Sequence, residues 1–166
     1  MVGADAAEWI VIHIVLDSLL FLRVLPDGAR AIMDLGSGAG VPGIPLRIVR
    51  PELQVTFLEA RQRRASFLAE AVRELGLSNC RVVPERAEAA VKRLAGQFEA
   101  VLMRCAGEPK RMVPLAMRFL QRGGVAIVSG PPRAPGGCVA GSWVETSGLQ
   151  PDEVRRFLVQ VRPMTP

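Results

Sequence analysis

Histidine is nearly absent: His13 is the one copy in 166 residues. Cysteine is sparse as well, with Cys80, Cys105 and Cys138 widely spaced. No cluster therefore has metal-ligand spacing, and no metal is expected. An odd, scattered cysteine set argues against a disulfide framework and for a reduced, cytoplasmic protein. Lysine is scarce too. Lys92 and Lys110 stand beside a large arginine excess, and the net charge is +5. Arginine suits phosphate and base contacts, so nucleic acid is a candidate partner. A GC-rich genome, which favours Arg, Ala, Gly and Pro together, would give the same balance. There is no long uninterrupted apolar run. The stretch from Trp9 to Leu25 is broken by His13, Asp17 and Arg23 and is short for a spanning helix. It also lacks the small-residue cleavage site of a signal peptide. It reads as a buried helix, and no membrane association is expected. No internal repeat or linker divides the chain. A hydrophobic content of 49% is that of a globular domain.

What is present is a glycine-rich stretch, Asp34-Leu35-Gly36-Ser37-Gly38-Ala39-Gly40-Val41-Pro42-Gly43-Ile44-Pro45. The apolar Ala31-Ile32-Met33 before it reads as a strand and Leu46-Arg47-Ile48-Val49 after it as a helix. Glycine is needed where the backbone takes positive φ or must approach a ligand closely. Pro42 suits a first helical turn, and free N–H groups at that helix start attract an anion. Two cofactors fit such a loop. Gly38 to Gly43 matches the dinucleotide pattern GxGxxG. Gly36-Ser37-Gly38-Ala39-Gly40, with Asp34 before it, matches the acidic-then-GxGxG arrangement of S-adenosylmethionine (SAM) sites. Glu59, at the end of the next strand, could accept from both ribose hydroxyls of either cofactor. A tight turn without a ligand is the third option, but one turn does not need three glycines.

In chain order, residues 1–8 read as loose and Glu8 to Leu25 as a helix ending at the turn signal Pro26-Asp27-Gly28. His13 and Asp17, four apart, share a helical face and are expected to hydrogen-bond locally, closing the helix against the domain. Strands are expected at Ala29–Leu35, Leu53–Glu59, Cys80–Val83, Phe98–Met103 and Val125–Ser129. Helices are expected at Pro42–Val49, Gln62–Leu75, Ala87–Leu94 and Pro109–Leu120. The second of these should turn Phe67, Leu68, Ala71 and Leu75 inward and end at Gly76, with Arg61, Arg63, Arg64 and Arg73 as a solvated face. Gly123-Gly124 should end the fourth. A loop at Pro131–Gly137 precedes strands at Val139–Thr146 and Arg156–Val161. Alternating strands and helices imply α/β architecture with a parallel sheet. Two closing strands with no helix between them imply an antiparallel hairpin. The expected fold is the class I SAM-dependent methyltransferase variant of the Rossmann arrangement: a seven-stranded, mostly parallel sheet with an antiparallel C-terminal hairpin. Residues 1–28 form a helix packed on a single domain of 29–166.

Four segments together resemble the RsmG (GidB) family of bacterial 16S rRNA guanine-N7 methyltransferases, over about residue 14 to the C-terminus. They are Leu16-Asp17-Ser18-Leu19, the glycine stretch with its Pro-Gly-Ile-Pro-Leu tail followed by Ile48-Val49-Arg50-Pro51, Arg86-Ala87-Glu88, and Arg104 in Met103-Arg104-Cys105-Ala106. The resemblance implies SAM as cofactor and 16S rRNA or the small ribosomal subunit as partner, with a monomeric protein expected. It also implies that Asp34, Gly36, Ser37, Gly38, Gly40 and Val41 form the cofactor loop and that Glu59 holds the ribose. Ala87 and Glu88 would flank the adenine. Arg104, the catalytic candidate, would lie beside the methionine end and the incoming base. The chain departs from the pattern in places. His13 is four residues before Asp17 where the family has three, Arg104-Cys105 replaces an Arg-Ala pair, and Ser129-Gly130 stands where a lysine is usual. The family's N-terminal Asn-Leu-Thr segment has no counterpart in the sequence.

The chemistry implied suits a chain poor in acid–base groups. Guanine N7 carries an exposed lone pair and needs no deprotonation, so catalysis can rest on positioning. Enzymes methylating exocyclic amines carry an Asn/Asp-Pro-Pro-aromatic motif where this chain has Met103-Arg104-Cys105-Ala106. Cytosine C5 methylation needs a cysteine nucleophile, and Cys105 lacks the Pro-Cys pair of those enzymes. The alternatives are a SAM-dependent methyltransferase for a small molecule or another RNA, and a methyltransferase fold that binds without turnover.

Overall fold

The computed structural model describes residues 4–104, 106–130 and 140–164. Cys105, Cys138 and the expected loop at Pro131–Gly137 lie outside them. Strands β1 (Ala31–Leu35), β2 (Gln54–Leu58), β3 (Cys80–Val83), β4 (Phe98–Met103), β5 (Leu120–Ser129), β6 (Ser142–Ser147) and β7 (Val154–Val161) form one sheet in the order β3-β2-β1-β4-β5-β7-β6. The first five are parallel. β7 runs antiparallel to both β5 and β6. This is the seven-stranded class I methyltransferase topology expected from the closing pair of strands. β1 and β4 read as continuous apolar runs because helices cover both their faces.

Helices α3 (Gly43–Val49), α4 (Gln62–Glu74), α5 (Ala87–Leu94) and α6 (Pro109–Phe119) connect the strands. Two apolar layers result. One packs Met33, Leu58, Val101, Met103 and Phe119 with α5 and α6; the other packs Ile32, Leu46, Phe57, Leu68 and Leu102 with α3, α4 and the N-terminal segment. Phe21 anchors that segment, meeting Phe157 edge to face at 4.8 Å. Among the described residues no helix is long and apolar enough to cross a membrane.

Several expectations need correction. The N-terminal helix begins earlier and is not uniform. It comprises α1 (Ala4–Ile10), a π-helical stretch Val11–Leu16, α2 (Asp17–Leu19) and a 3₁₀ turn Leu20–Arg23. It is buried only toward its end. Leu20 and Phe21 are inside, whereas Trp9, Ile10, Val11 and Leu16 are exposed. α4 turns Ala65 and Leu68 inward, with Val72 behind them, while Phe67 and Leu75 are exposed. Leu75 is already the C-cap, at the helix end. Gly76 does end this helix, with φ +60° and the N–H of Leu77 donating back to Val72. Gly123-Gly124 do not end α6. It stops at Phe119, where Leu120 turns extended, and both glycines lie within β5.

Candidate functional site

The carboxyl ends of the parallel strands carry the site. Beyond β1 the chain turns through Gly36, Gly38 and Gly40, whose φ values of +75°, +57° and +87° lie in the left-handed region. The loop is tied to β2, with Gly36 N–H donating to the Leu58 carbonyl at 2.8 Å. It is also tied to itself: Ser37 Oγ donates to the Asp34 carbonyl at 2.6 Å, and Gly40 N–H donates to the Ser37 carbonyl at 2.8 Å. The Val41–Pro42 peptide is cis.

Asp34 does not face an open cleft. It is 1% exposed, and its Oδ2 accepts the Gly43 N–H at 2.9 Å. The anion at the start of α3 is thus the chain's own carboxylate, and this corrects the expectation of a free anion site there. Asp34 Oδ1 is buried without a hydrogen-bond partner among the described residues. Burial pushes the Asp34 carboxyl up to about 7. The Gly43 N–H opposes this, Glu59 adds to it, and the Arg104 charge again lowers it. A side chain at Gly43 would meet Phe57 Cε1 at 2.5 Å and Asp34 Oδ2 at 2.8 Å, so glycine is dictated there by contact rather than by φ.

Glu59, just past β2, is 6% exposed. Its Oε2 accepts the Gly38 N–H at 3.0 Å, and its Oε1 accepts the Arg61 N–H at 2.8 Å. One carboxylate therefore spans the glycine loop and the start of α4, and each oxygen keeps lone-pair capacity for a ligand hydroxyl. A cleft of about 520 Å³ opens here, and Gly36, Glu59, Ala87 and Glu88 all line it. Gly36 forms part of a narrow floor, since a Cβ there would come within 3.0 Å of Ala106 Cβ. Arg61, Arg64, Arg86 and Arg111 stand along the same walls, and Arg111 reaches Glu88 at 3.4 Å. The expected solvated arginine face is thus partly a cleft rim, whereas Arg73 pairs with Glu74 on the surface.

Asp34, Ser37, Gly40 and Val41 do not line this cleft; they build the loop beneath it. Gly38 joins the site through its N–H, and a Cβ on it would meet little, the Gly36 carbonyl lying 3.8 Å away. A second concavity of about 440 Å³, lined by Gln54, Thr56 and Arg81 among others, opens at the amino ends of the strands. Ligands of open α/β sheets bind at the other edge.

Arg104 is at the carboxyl end of β4, but its fork turns to the N-terminal segment. Nη1 donates to the Ile14 carbonyl at 2.9 Å and to Ser18 Oγ at 3.0 Å. Nη2 donates to the His13 carbonyl at 2.8 Å and pairs with Asp17 Oδ2 at 3.1 Å. The same Asp17 oxygen accepts from Arg155 at 2.9 Å. The helix is therefore closed against the domain by arginines rather than by the expected His13–Asp17 bond. The His13 ring lies against Trp9, centroids 5.1 Å apart. Sequence reading missed Arg155. It sits on β7, 138 residues from Asp17, and no local pattern signals such a contact.

Comparison with known proteins agrees with this architecture. The family model for rRNA small subunit methyltransferase G, GidB, matches residues 1–129. A ribosomal RNA small subunit methyltransferase G of Sorangium cellulosum (strain So ce56) is 43% identical over 134 residues, covering 78% of this chain and 56% of that protein. Its namesake in Neisseria meningitidis serogroup C (strain 053442) is 48% identical over 82 residues, 49% of this chain and 39% of that one. The chain thus spans about half the length of the curated relatives it matches, or less. Among solved structures, a predicted O-methyltransferase from Agrobacterium tumefaciens superposes with a TM-score of 0.67 at 25% identity, over 89% of this chain and 78% of that one. An MtNAS variant in complex with S-adenosylmethionine superposes with a TM-score of 0.64 at 17% identity, over 97% of this chain and 68% of that one.

Proposed function

The chain belongs to the GidB family of rRNA small subunit methyltransferase G, and from that membership we propose that it transfers the methyl group of SAM to N7 of a guanine in small-subunit (16S) rRNA. The observation that carries the reading is the Glu59 carboxylate, which joins the Gly38 and Arg61 N–H groups at the mouth of the cleft. It is an anionic acceptor placed beside a glycine loop that closes the cleft floor. That arrangement fits SAM, with Glu59 toward the ribose hydroxyls, Gly36 beneath the cofactor, and Ala87 and Glu88 beside the adenine. Asp34, Ser37, Gly40 and Val41 act by holding the loop in shape. On this reading the N-terminal helical segment, from Ala4 to Arg23, packs on the catalytic domain of 29–166, and the protein works in the cytoplasm as a monomer on rRNA.

When bound, SAM supplies a methyl group on a sulfonium, an electrophile that needs no activation by the protein. The chain's own part is to orient and to exclude water. N7 of neutral guanine presents its lone pair on the base edge, so no residue has to remove a proton. Holding the two reactants in line converts a bimolecular encounter into a positioned one, an effect of about 7–11 kcal/mol in favourable cases. Arg104 contributes by fixing the N-terminal segment over the strand ends, where it bounds the space for the incoming base.

The test is incubation of the full chain with methyl-labelled SAM and either small ribosomal subunits or a small-metabolite extract. Label in the rRNA supports the proposal. Label only in metabolites favours a small-molecule enzyme. SAM binding by calorimetry without any transfer favours a non-catalytic binder, and NAD binding without SAM binding rejects the cofactor.

A further inference from the structure

At the carboxyl edge of β4, β5 and β7 two guanidinium groups share one carboxylate. Arg104 and Arg155 both meet Asp17 Oδ2, at 3.1 and 2.9 Å, and all three side chains are at most 18% exposed. The trio carries one positive charge in excess in a site largely withdrawn from water. The two arginines are used differently. Arg104 spends both terminal nitrogens on the helix: two backbone carbonyls, Ser18 and Asp17. Arg155 spends only Nη2, on Asp17 and on Ser129 Oγ at 3.0 Å. Among the described residues its buried Nε has no hydrogen-bond partner, and Nη1 has none either. An orphaned donor of a charged group is costly in a folded protein and points to a missing partner.

The position fits a ligand. β7 is antiparallel to β5, with Ser129 opposite Phe157, so Arg155 enters beyond the carboxyl end of β5. That is the edge where the glycine loop and Glu59 also stand, and where ligands of such sheets bind. Nη1, the terminal nitrogen left unspent beside the occupied Nη2, suits a tetrahedral or planar oxyanion, while the enclosed Nε serves to show that the fork is not satisfied from within.

We infer that Arg155 is an oxyanion-binding residue of the methyl-transfer site, held in place by Asp17 and Ser129, and that its ligand is a backbone phosphate of the RNA substrate. Arg104 is by contrast a positioning residue. The inference rests on the RNA methyltransferase reading. The same chemistry is offered by one other source, the methionine carboxylate of SAM, and the experiment separates the two.

Arg155→Met and Arg155→Lys are compared with the unaltered full chain. Binding of a 16S rRNA fragment is measured by fluorescence anisotropy across salt concentrations, SAM binding by calorimetry, and helix docking by amide hydrogen exchange at residues 14–19. For a phosphate ligand, Arg155→Met weakens RNA binding about tenfold and lowers its salt slope by about one. Arg155→Lys restores part of both, and SAM affinity holds. A loss of SAM affinity with unchanged RNA binding assigns the carboxylate instead and overturns the phosphate. Unchanged RNA and SAM binding in both variants, with only faster exchange in the helix, overturns the inference and leaves Arg155 a structural contact. An unaltered chain that binds neither SAM nor RNA refutes the functional reading beneath it.

Discussion

Asp34 and Gly43, nine residues apart, meet across the turn between β1 and α3, the Gly43 N–H donating to Asp34 Oδ2 at 2.9 Å. The contact is buried, and among the described residues the second carboxylate oxygen has no partner. The glycine loop is therefore closed from inside by a group whose ionised form is poorly solvated. Burial, more than any neighbouring charge, lifts the Asp34 carboxyl to about 7.

This gives a pH dependence with a definite sign. Between the ordinary carboxyl value of 3.8 and about 7 the folded state holds the Asp34 proton and the unfolded state has lost it. Stability from this group therefore falls as pH rises through that window and levels off above it. Asp34→Asn can still accept from Gly43 and does not titrate. The melting temperature of the unaltered protein should drop relative to Asp34→Asn between pH 4 and pH 7, as read by thermal denaturation in matched buffers. Parallel curves would mean that Asp34 titrates alike in both states.

Gly38→Val tests the loop. The backbone there has φ +57°, a conformation that costs an L residue with a Cβ about 1–2 kcal/mol. The new side chain would meet little of the protein itself, Arg64 Nη1 lying 4.0 Å from its Cβ, and would occupy space that the proposed SAM needs. The expected outcome is a modest loss of thermal stability and loss of SAM binding by calorimetry. Retained SAM affinity would place the cofactor away from Gly38.

Glu59→Gln keeps the size of the side chain and removes the charge. If Glu59 accepts ribose hydroxyls, SAM binding should weaken by about 1.5–3 kcal/mol, the value of a hydrogen bond to a charged group. Calorimetry at fixed salt checks it. Unchanged affinity would reduce Glu59 to its internal bonds with Gly38 and Arg61.

Arg104→Ala removes the bonds to His13, Ile14, Ser18 and Asp17 together. The protein should lose about 1.5–3 kcal/mol in denaturant unfolding, and exchange protection should fall first at residues 14–19. Arg104→Lys keeps the charge without the fork and should lose less. Unchanged protection in both variants would show that the Phe21–Phe157 contact alone holds the segment.

Local features of the sequence revealed most of the architecture. The glycine spacing and the Asp34 and Glu59 strand ends report on adjacent backbone, and apolar runs mark strands covered on both faces. The closing pair of strands, with no helix pattern between them, revealed the antiparallel ending. What could not be read was set by distant packing. Phe67 looks like a core residue by type, yet α4 presents Ala65 and Leu68 to the sheet. Arg104 was legible as a strand-end residue, but its partners lie 86 to 91 residues upstream. Asp34 carried the right chemistry for a cofactor contact, and only the structure shows its carboxylate turned inward on Gly43.

The most direct test of the account is nucleoside mass spectrometry of 16S rRNA from small ribosomal subunits lacking the modification, after incubation with the full chain and methyl-labelled SAM. The account expects the label in N7-methylguanine. Label in an exocyclic amine, in C5-methylcytosine, or in no nucleoside at all would contradict it.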